Sequence, residues 1–348
     1  MTEPAESSLL RLDSLEPAYG SDNRGLDWAY LLVPEQAAVE LNSDAVERWL
    51  ARPVQHDNGF LWLHLSLSNT ASERWMRSHL ELPDAFYQSL HETTSSTRVE
   101  LEDAALIAVL HDVLFDSSFD ASNVSTVNLF VGPRMMVSAR LRPLRSVDRL
   151  RSAVRNRATF HSSVELFSHL LRDQAGVLVD ILRQTTVRVD EIEDTLLENR
   201  ITISRRQLSA LRRMLVRLQR LLAPEPAALF RLLRQPPAWI DAGDVQDLSQ
   251  AAEEFSSVVV DSSALVERVR LLQEEFGALL NEQTNRTLFV LTLVTVLALP
   301  INLVAGLFGM NVGGIPFAQH SHGFWIVIST LAAVTGGLAY LALGRHRD

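Results

Sequence analysis

Nine residues near the C-terminus recur at alternating steps of four and three: Asn281, Asn285, Leu288, Thr292, Thr295, Leu299, Asn302, Gly306 and Gly309. Such steps place all of them on one stripe of an α-helix, and a heptad stripe implies self-association of identical helices about an axis. Thr292, Thr295 and Asn302 would be costly against lipid, so they face either the inside of a closed bundle, as hydrogen-bonding glue, or a hydrated lumen. In a lumen, Leu288 and Leu299 would form apolar constrictions between polar rings. Just beyond the stripe, Asn311 offers an amide carbonyl suited to the water shell of a hydrated dication, while Met310 packs the loop. Mg²⁺ sheds water reluctantly, so recognition through its water suits it. Zn²⁺ is normally held by imidazole, thiolate or carboxylate, and none lies on the stripe, so a Zn²⁺ ion there would also stay largely hydrated.

Two uncharged runs must carry this stripe. The first, 287–309, is about 34 Å long as a helix, enough to cross a bilayer. The second, 324–344, is followed at once by Arg345-His346-Arg347-Asp348. Arg286 precedes the first run, Arg345 and Arg347 follow the second, and the connection 310–323 holds no Arg. That asymmetry predicts a multi-pass chain with both termini cytoplasmic and the connection outside. Pro300 lies within the first span, where neighbours or water satisfy a freed carbonyl. In the second span, Ala332/Gly336 and Ala333/Gly337 suggest a packing face toward the first. His320 and His322 in the connection are a weak candidate pair for Zn²⁺, and an incidental pair is the simpler reading.

The remaining chain is read as soluble. The 348 residues have a mean hydropathy of only +0.07, so apolar character is concentrated at one end. There are no cysteines, which excludes disulfides and thiolate metal sites. The net charge of −10 argues against nucleic acid as a partner. The start, Met1-Thr2-Glu3-Pro4, lacks the pattern of a secretory signal, so the N-terminal part is expected in the cytoplasm. Short apolar runs at 60–65, 104–110 and 127–131 point to a mixed α/β domain over 1–142, with a hairpin turn at Gly132-Pro133. Helical periodicity then fills 144–157, 164–199 and 204–223. A further helix from Asp244 runs into the membrane without a break, and Pro224, Pro226, Pro236 and Pro237 punctuate the turn before it. Residues 199–240 hold nine Arg and one acid, and 241–285 hold ten acids and two Arg. Neighbouring helices neutralising each other is the simple reading. Alternatively, Glu274, Glu275 and Glu282, just before the membrane, attract cations, and the Arg residues face lipid headgroups. There is no Gly-rich phosphate loop, His-Glu-x-x-His, nucleophile elbow or Gly-x-Gly-x-x-Gly, so neither an enzyme nor a resident cofactor is expected.

Gly309-Met310-Asn311, closing the penultimate span ahead of a second helix and a short basic tail, resembles the signature of the CorA-type divalent metal ion transporter family. The following Val312-Gly313-Gly314-Ile315-Pro316 is similar to the ZntB branch, which is associated with zinc. The resemblance implies a homopentamer in the bacterial inner membrane. It implies a cytosolic α/β domain (1–142), a helical bundle and stalk (143–286), a pore-lining first span (287–309), an external loop (310–323), a second span (324–344) and a basic tail (345–348). Divalent cations, Zn²⁺ above all, are then the cargo, with proton coupling left open and a Mg²⁺/Co²⁺ channel as the alternative. Identical subunits and membrane lipids are the other partners. A membrane-anchored sensor with a soluble signalling domain is the reading from a different class.

Overall fold

In a computed structural model, residues 25–52, 59–92, 97–102, 105–114, 124–197, 205–310 and 321–344 are described. The chain divides into two compact units, Met1–Leu271 and Leu272–Asp348.

The first unit is built on a seven-stranded sheet: β1 (Leu26–Leu32), β2 (Val39–Leu41), β3 (Phe60–Ser66), β4 (Arg98–Glu102), β5 (Ala105–Val113), β6 (Val124–Gly132) and β7 (Met135–Arg140). The spatial order is β2-β1-β3-β7-β6-β5-β4. β3 and β7 pair in parallel, and the other neighbours are antiparallel. The expected apolar runs are β3, β5 and β6, and the Gly132-Pro133 step turns β6 into β7. These strands read as continuous apolar runs because both faces are covered. Trp28, Tyr30 and Trp62 point to a core shared with α4 (Arg145–Arg155), α5 (Ser163–Leu197), α7 (Pro224–Leu233) and the start of α8 (Ala242–Phe308). Ala29, Leu61 and Leu63 point to a second core with α1 (Ser43–Leu50), α2 (Thr70–His79) and α3 (Asp84–His91).

The helices match the periodic stretches, with α6 spanning Arg205–Leu222 and α9 spanning Gly323–Gly344. α7 departs from expectation, because the prolines at 224 and 226 suggested a turn. Pro224 occupies the first helical position and Pro226 the first turn, where backbone N–H groups have no helical acceptor to lose. Ion pairs also join α8 to α5. Arg172 on α5 reaches Asp247 at 3.1 Å, and Arg268 on α8 reaches Asp190 of α5 at 2.7 Å and Glu193. Thus α8 exchanges ion pairs with α5, while Arg205, Arg213, Arg217 and Arg220 of α6 are exposed without a partner among the described residues. Between α6 and α8, Gln219 Nε2 donates to Ser263 Oγ at 2.8 Å, and Arg212 adds a favourable field at Glu267.

Polar groups pin the two cores to the sheet. The fully buried Glu225 accepts from the His111 backbone N–H at 3.0 Å and from Gln174 Nε2 at 2.9 Å, tying α7 and α5 to β5. Burial holds this carboxyl well above the usual range despite those hydrogen bonds. Asp112 accepts from Ser146 N, Ser146 Oγ and Val113 N, and burial lifts it to about 6.

His64 is completely buried and stacks on Trp28 with ring centroids 3.9 Å apart. Arg140 Nε donates to His64 Nε2 at 2.7 Å, which leaves the proton on Nδ1 for donation to Ser138 Oγ at 2.7 Å. Ser138 Oγ also accepts from Trp62 Nε1 at 3.0 Å and donates to the Leu63 carbonyl at 3.2 Å. Burial, with the Arg140 and Arg151 charges adding to it, holds the imidazole well below its ordinary value. An unfolded chain gains a proton as pH falls through about 6.5, and the native imidazole does not, so this site loses stability on acidification. We expect His64→Phe to remove this contribution. Below pH 6.5 the wild-type unfolding free energy, measured relative to the variant, should fall by up to about 1.4 kcal/mol per pH unit. Denaturant unfolding at pH 5 to 8 reads this directly, and parallel pH profiles would refute it.

Candidate ion pathway

The 67-residue α8 is one uninterrupted helix through the predicted membrane entry and past Pro300. In the second unit its C-terminal part and α9 are long and apolar enough to cross a membrane, and the most apolar window of the first has none of its residues buried. No core covers these side chains: Leu288 is 53% exposed, Leu299 67% and Trp325 66%.

Exposure is not uniform around either helix. Phe289, Leu293, Leu297, Pro300 and Val304 are half-buried at steps of four, four, three and four. The candidate residues Asn285, Leu288, Thr292, Thr295, Leu299, Asn302, Gly306 and Gly309 are all exposed. At about 100° per residue, the two stripes face directions roughly 140° apart. A β-carbon added at Gly306 would meet nothing within 4 Å. The seam is therefore a free face of the isolated chain, with its polar members among large apolar neighbours.

Thr295 Oγ1 donates to the Leu291 carbonyl at 2.8 Å, so its hydrogen is used within the helix and its lone pairs remain available outward. Thr292 makes no such bond among the described residues and is exposed. At the helix end, Gly309 N donates to the Ala305 carbonyl at 2.9 Å, and the half-exposed Met310 follows. Asn311 and His320 lie outside the described residues, as does the loop between them. His322 is exposed and lies one residue before α9. No group of three potential metal ligands occurs among the described residues.

Two expectations change. Ala332, Ala333, Gly336 and Gly337 lie on the exposed side of α9, and β-carbons at the two glycines would meet nothing within 4 Å. The half-covered residues are instead Val327, Leu331, Thr335, Leu338 and Ala339. The seam is also longer than its membrane part. The same register, followed back along the sequence, reaches Leu271, Glu267, Ala264, Val260, Ser257 and Glu253, each exposed in the first unit. Val260 is 63% and Leu271 53% exposed, unusual for large apolar residues on a soluble domain. The heptad steps alone would have found them. Glu274, Glu275 and Glu282 are exposed along the second unit's part of α8.

Comparison with known proteins agrees with this architecture. The chain is 27% identical over 322 residues to the divalent cation transporter CmaX of Pseudomonas aeruginosa, covering 91% of this chain and 95% of that protein. It is 26% identical over 282 residues to the zinc transport protein ZntB of Pectobacterium atrosepticum, covering 80% and 85%. The full-length CmaX structure superposes with a TM-score of 0.77 at 26% identity, over 94% of this chain and 98% of that one. The CorA magnesium transporter of Methanocaldococcus jannaschii shares the fold, with a TM-score of 0.72 at 18% identity over 90% and 96%. The sequence profile described as CorA-like Mg²⁺ transporter protein matches residues 57–345, and this chain belongs to that family of divalent-cation transporters.

Proposed function

We propose that this chain assembles as a homopentamer in the bacterial inner membrane and passes divalent cations along an axis lined by the α8 seam, with Zn²⁺ the preferred ion. The supporting observation is the free seam itself, opposite the half-covered stripe and carrying Thr292, Thr295 and Asn302 in an otherwise apolar span. Lipid would leave the Asn302 amide and the Thr292 hydroxyl without partners, whereas identical copies around an axis give them water or one another. The seam offers neutral oxygens and no first-sphere zinc ligand, so the ion travels with its water and selectivity resides in polar rings, including the Asn311 of the Gly309-Met310-Asn311 signature. The resemblance to ZntB favours Zn²⁺, and an outer-sphere pathway suits a Mg²⁺/Co²⁺ channel as the second reading. Both termini face the cytoplasm, and Glu274, Glu275 and Glu282 raise the cation concentration near the inner mouth.

Assembly about the seam is tested by disulfide cross-linking, since the native chain has no cysteine. Leu299→Cys should cross-link copies on oxidation, and Leu293→Cys on the half-covered stripe should not. Equal cross-linking at both positions would remove the case for this face.

Transport is tested by uptake into liposomes, Zn²⁺ against Mg²⁺, with and without a pH gradient. Asn302→Leu and Asn311→Ala should each lower flux or blur selectivity with unchanged assembly size, and Leu299→Ser should raise basal conduction by wetting a constriction. Neutralising the three glutamates should lower flux mainly at low ionic strength. Wild-type flux and selectivity in both Asn variants would place the pathway elsewhere. Zn²⁺ flux no greater than Mg²⁺ flux would favour the second reading.

Orientation has its own check. A cysteine at Ala318 should react with a membrane-impermeant reagent added from outside, and reaction from the cytoplasmic side alone would reverse the topology.

A further inference from the structure

The first unit carries a basic cleft that transport does not use. It is open, about 720 Å³ in volume, and lined by Arg145, Arg149, Arg151 and Arg155 of α4 with Asp148 and with Asp173 of α5. Among the lining residues four guanidinium groups meet two carboxylates, with Asp180 and Glu40 reaching Arg149 and Arg151 from outside the lining. The volume lies within the range of small-molecule sites, roughly 300 to 1,000 Å³.

The arginines are held in place. Arg145 Nε donates to the Leu114 carbonyl at 3.0 Å, and Arg149 Nη2 pairs with Asp180 at 2.7 Å. The Arg151 guanidinium lies 4.1 Å from the centroid of the Trp28 ring, with Glu40 at 3.8 Å. Guanidinium planes fixed in this way lose less entropy on engaging an oxyanion than free side chains do. Two atoms of the lining keep hydrogen-bonding capacity: Arg151 Nε and Asp173 Oδ2 are buried with no hydrogen-bond partner among the described residues, and His169 Nε2 stands 3.7 Å from Asp173 Oδ2. A donor and an acceptor in the wall of a cleft can each be satisfied by a bound polar molecule.

We propose that this cleft binds a soluble phosphorylated metabolite of nucleotide size, its phosphate oxygens taken by the α4 arginines and a hydroxyl or amine donated to Asp173. A bare dication is disfavoured there, because it would have to approach the guanidinium groups that line the cleft beside Asp148 and Asp173.

The test is calorimetric titration of full-length protein in neutral detergent with inorganic tripolyphosphate, without divalent cations. Saturable binding of about one equivalent per chain is expected. Arg149→Gln with Arg155→Gln, both exposed positions, should weaken it about tenfold or more. Arg213→Gln with Arg217→Gln on α6 should change it by less than about twofold. No saturable binding, or equal weakening by the two pairs, would overturn the site. Repeating the titration in nanodiscs of neutral lipid and of phosphatidylglycerol separates the sources of phosphate. Equal affinity supports a soluble ligand, and loss of binding in the anionic discs would assign the cleft to a lipid headgroup instead.

Discussion

Hydrocarbon offers no hydrogen bonds, and that constraint governs the C-terminal part of this chain. Backbone N–H and C=O groups in a span must be satisfied within the helix, which is why α8 continues through its apolar part to Phe308, and three of its threonines also turn their hydroxyls back on the helix. Thr284, Thr287 and Thr295 each donate to the carbonyl four residues earlier. Asn302 has no equivalent route, because its amide carries two donors and an acceptor that one helix cannot satisfy. Its position on the exposed seam is thus the strongest demand the chain makes for something beyond itself. Under the proposed assembly, that demand is met by water and by identical neighbours, and the same seam that specifies association also presents the polar rings.

The first unit solves a related problem with different means. Its sheet is covered on both faces, so polar groups in the strands must find partners inside the protein. Glu225, Gln174 and the His111 backbone form one such set, Asp112 and Ser146 a second, and Arg140, His64 and Ser138 a third. Each joins elements distant in sequence, and each would leave an orphaned buried group if one member were lost. The N-terminal part of α8 is fixed to this body by Leu248, Ala251 and Ala252 in one core and Phe255 and Val258 in another. Its ion pairs with α5 are half-exposed and add little by comparison.

Two charged regions look alike in composition and differ in physical role. The arginines Arg205, Arg213, Arg217 and Arg220 of α6 are exposed without a partner among the described residues, a solvated face. Those of α4 are held by a ring, a carbonyl and carboxylates around a cleft with unsatisfied atoms. Counting arginines cannot separate the two.

The sequence by itself determined the architecture: two uncharged spans, the register of the seam, the soluble α/β part, the helices after residue 143, and the family through Gly309-Met310-Asn311. These are legible because they rest on local regularities, namely helical period, absence of charge over a bilayer's thickness, and a short motif at a fixed place. Tertiary structure alone decided the strand order β2-β1-β3-β7-β6-β5-β4, since register between distant strands depends on which faces find a core. It made α7 a helix despite its prolines, gave α8 ion pairs with α5, and turned the small residues of α9 away from its half-covered stripe. It also gathered His64, Ser138 and Arg140, two of them more than seventy residues from the first, into one buried network. No spacing rule could have joined them, because hydrogen bonds across a sheet are set by packing rather than by distance along the chain.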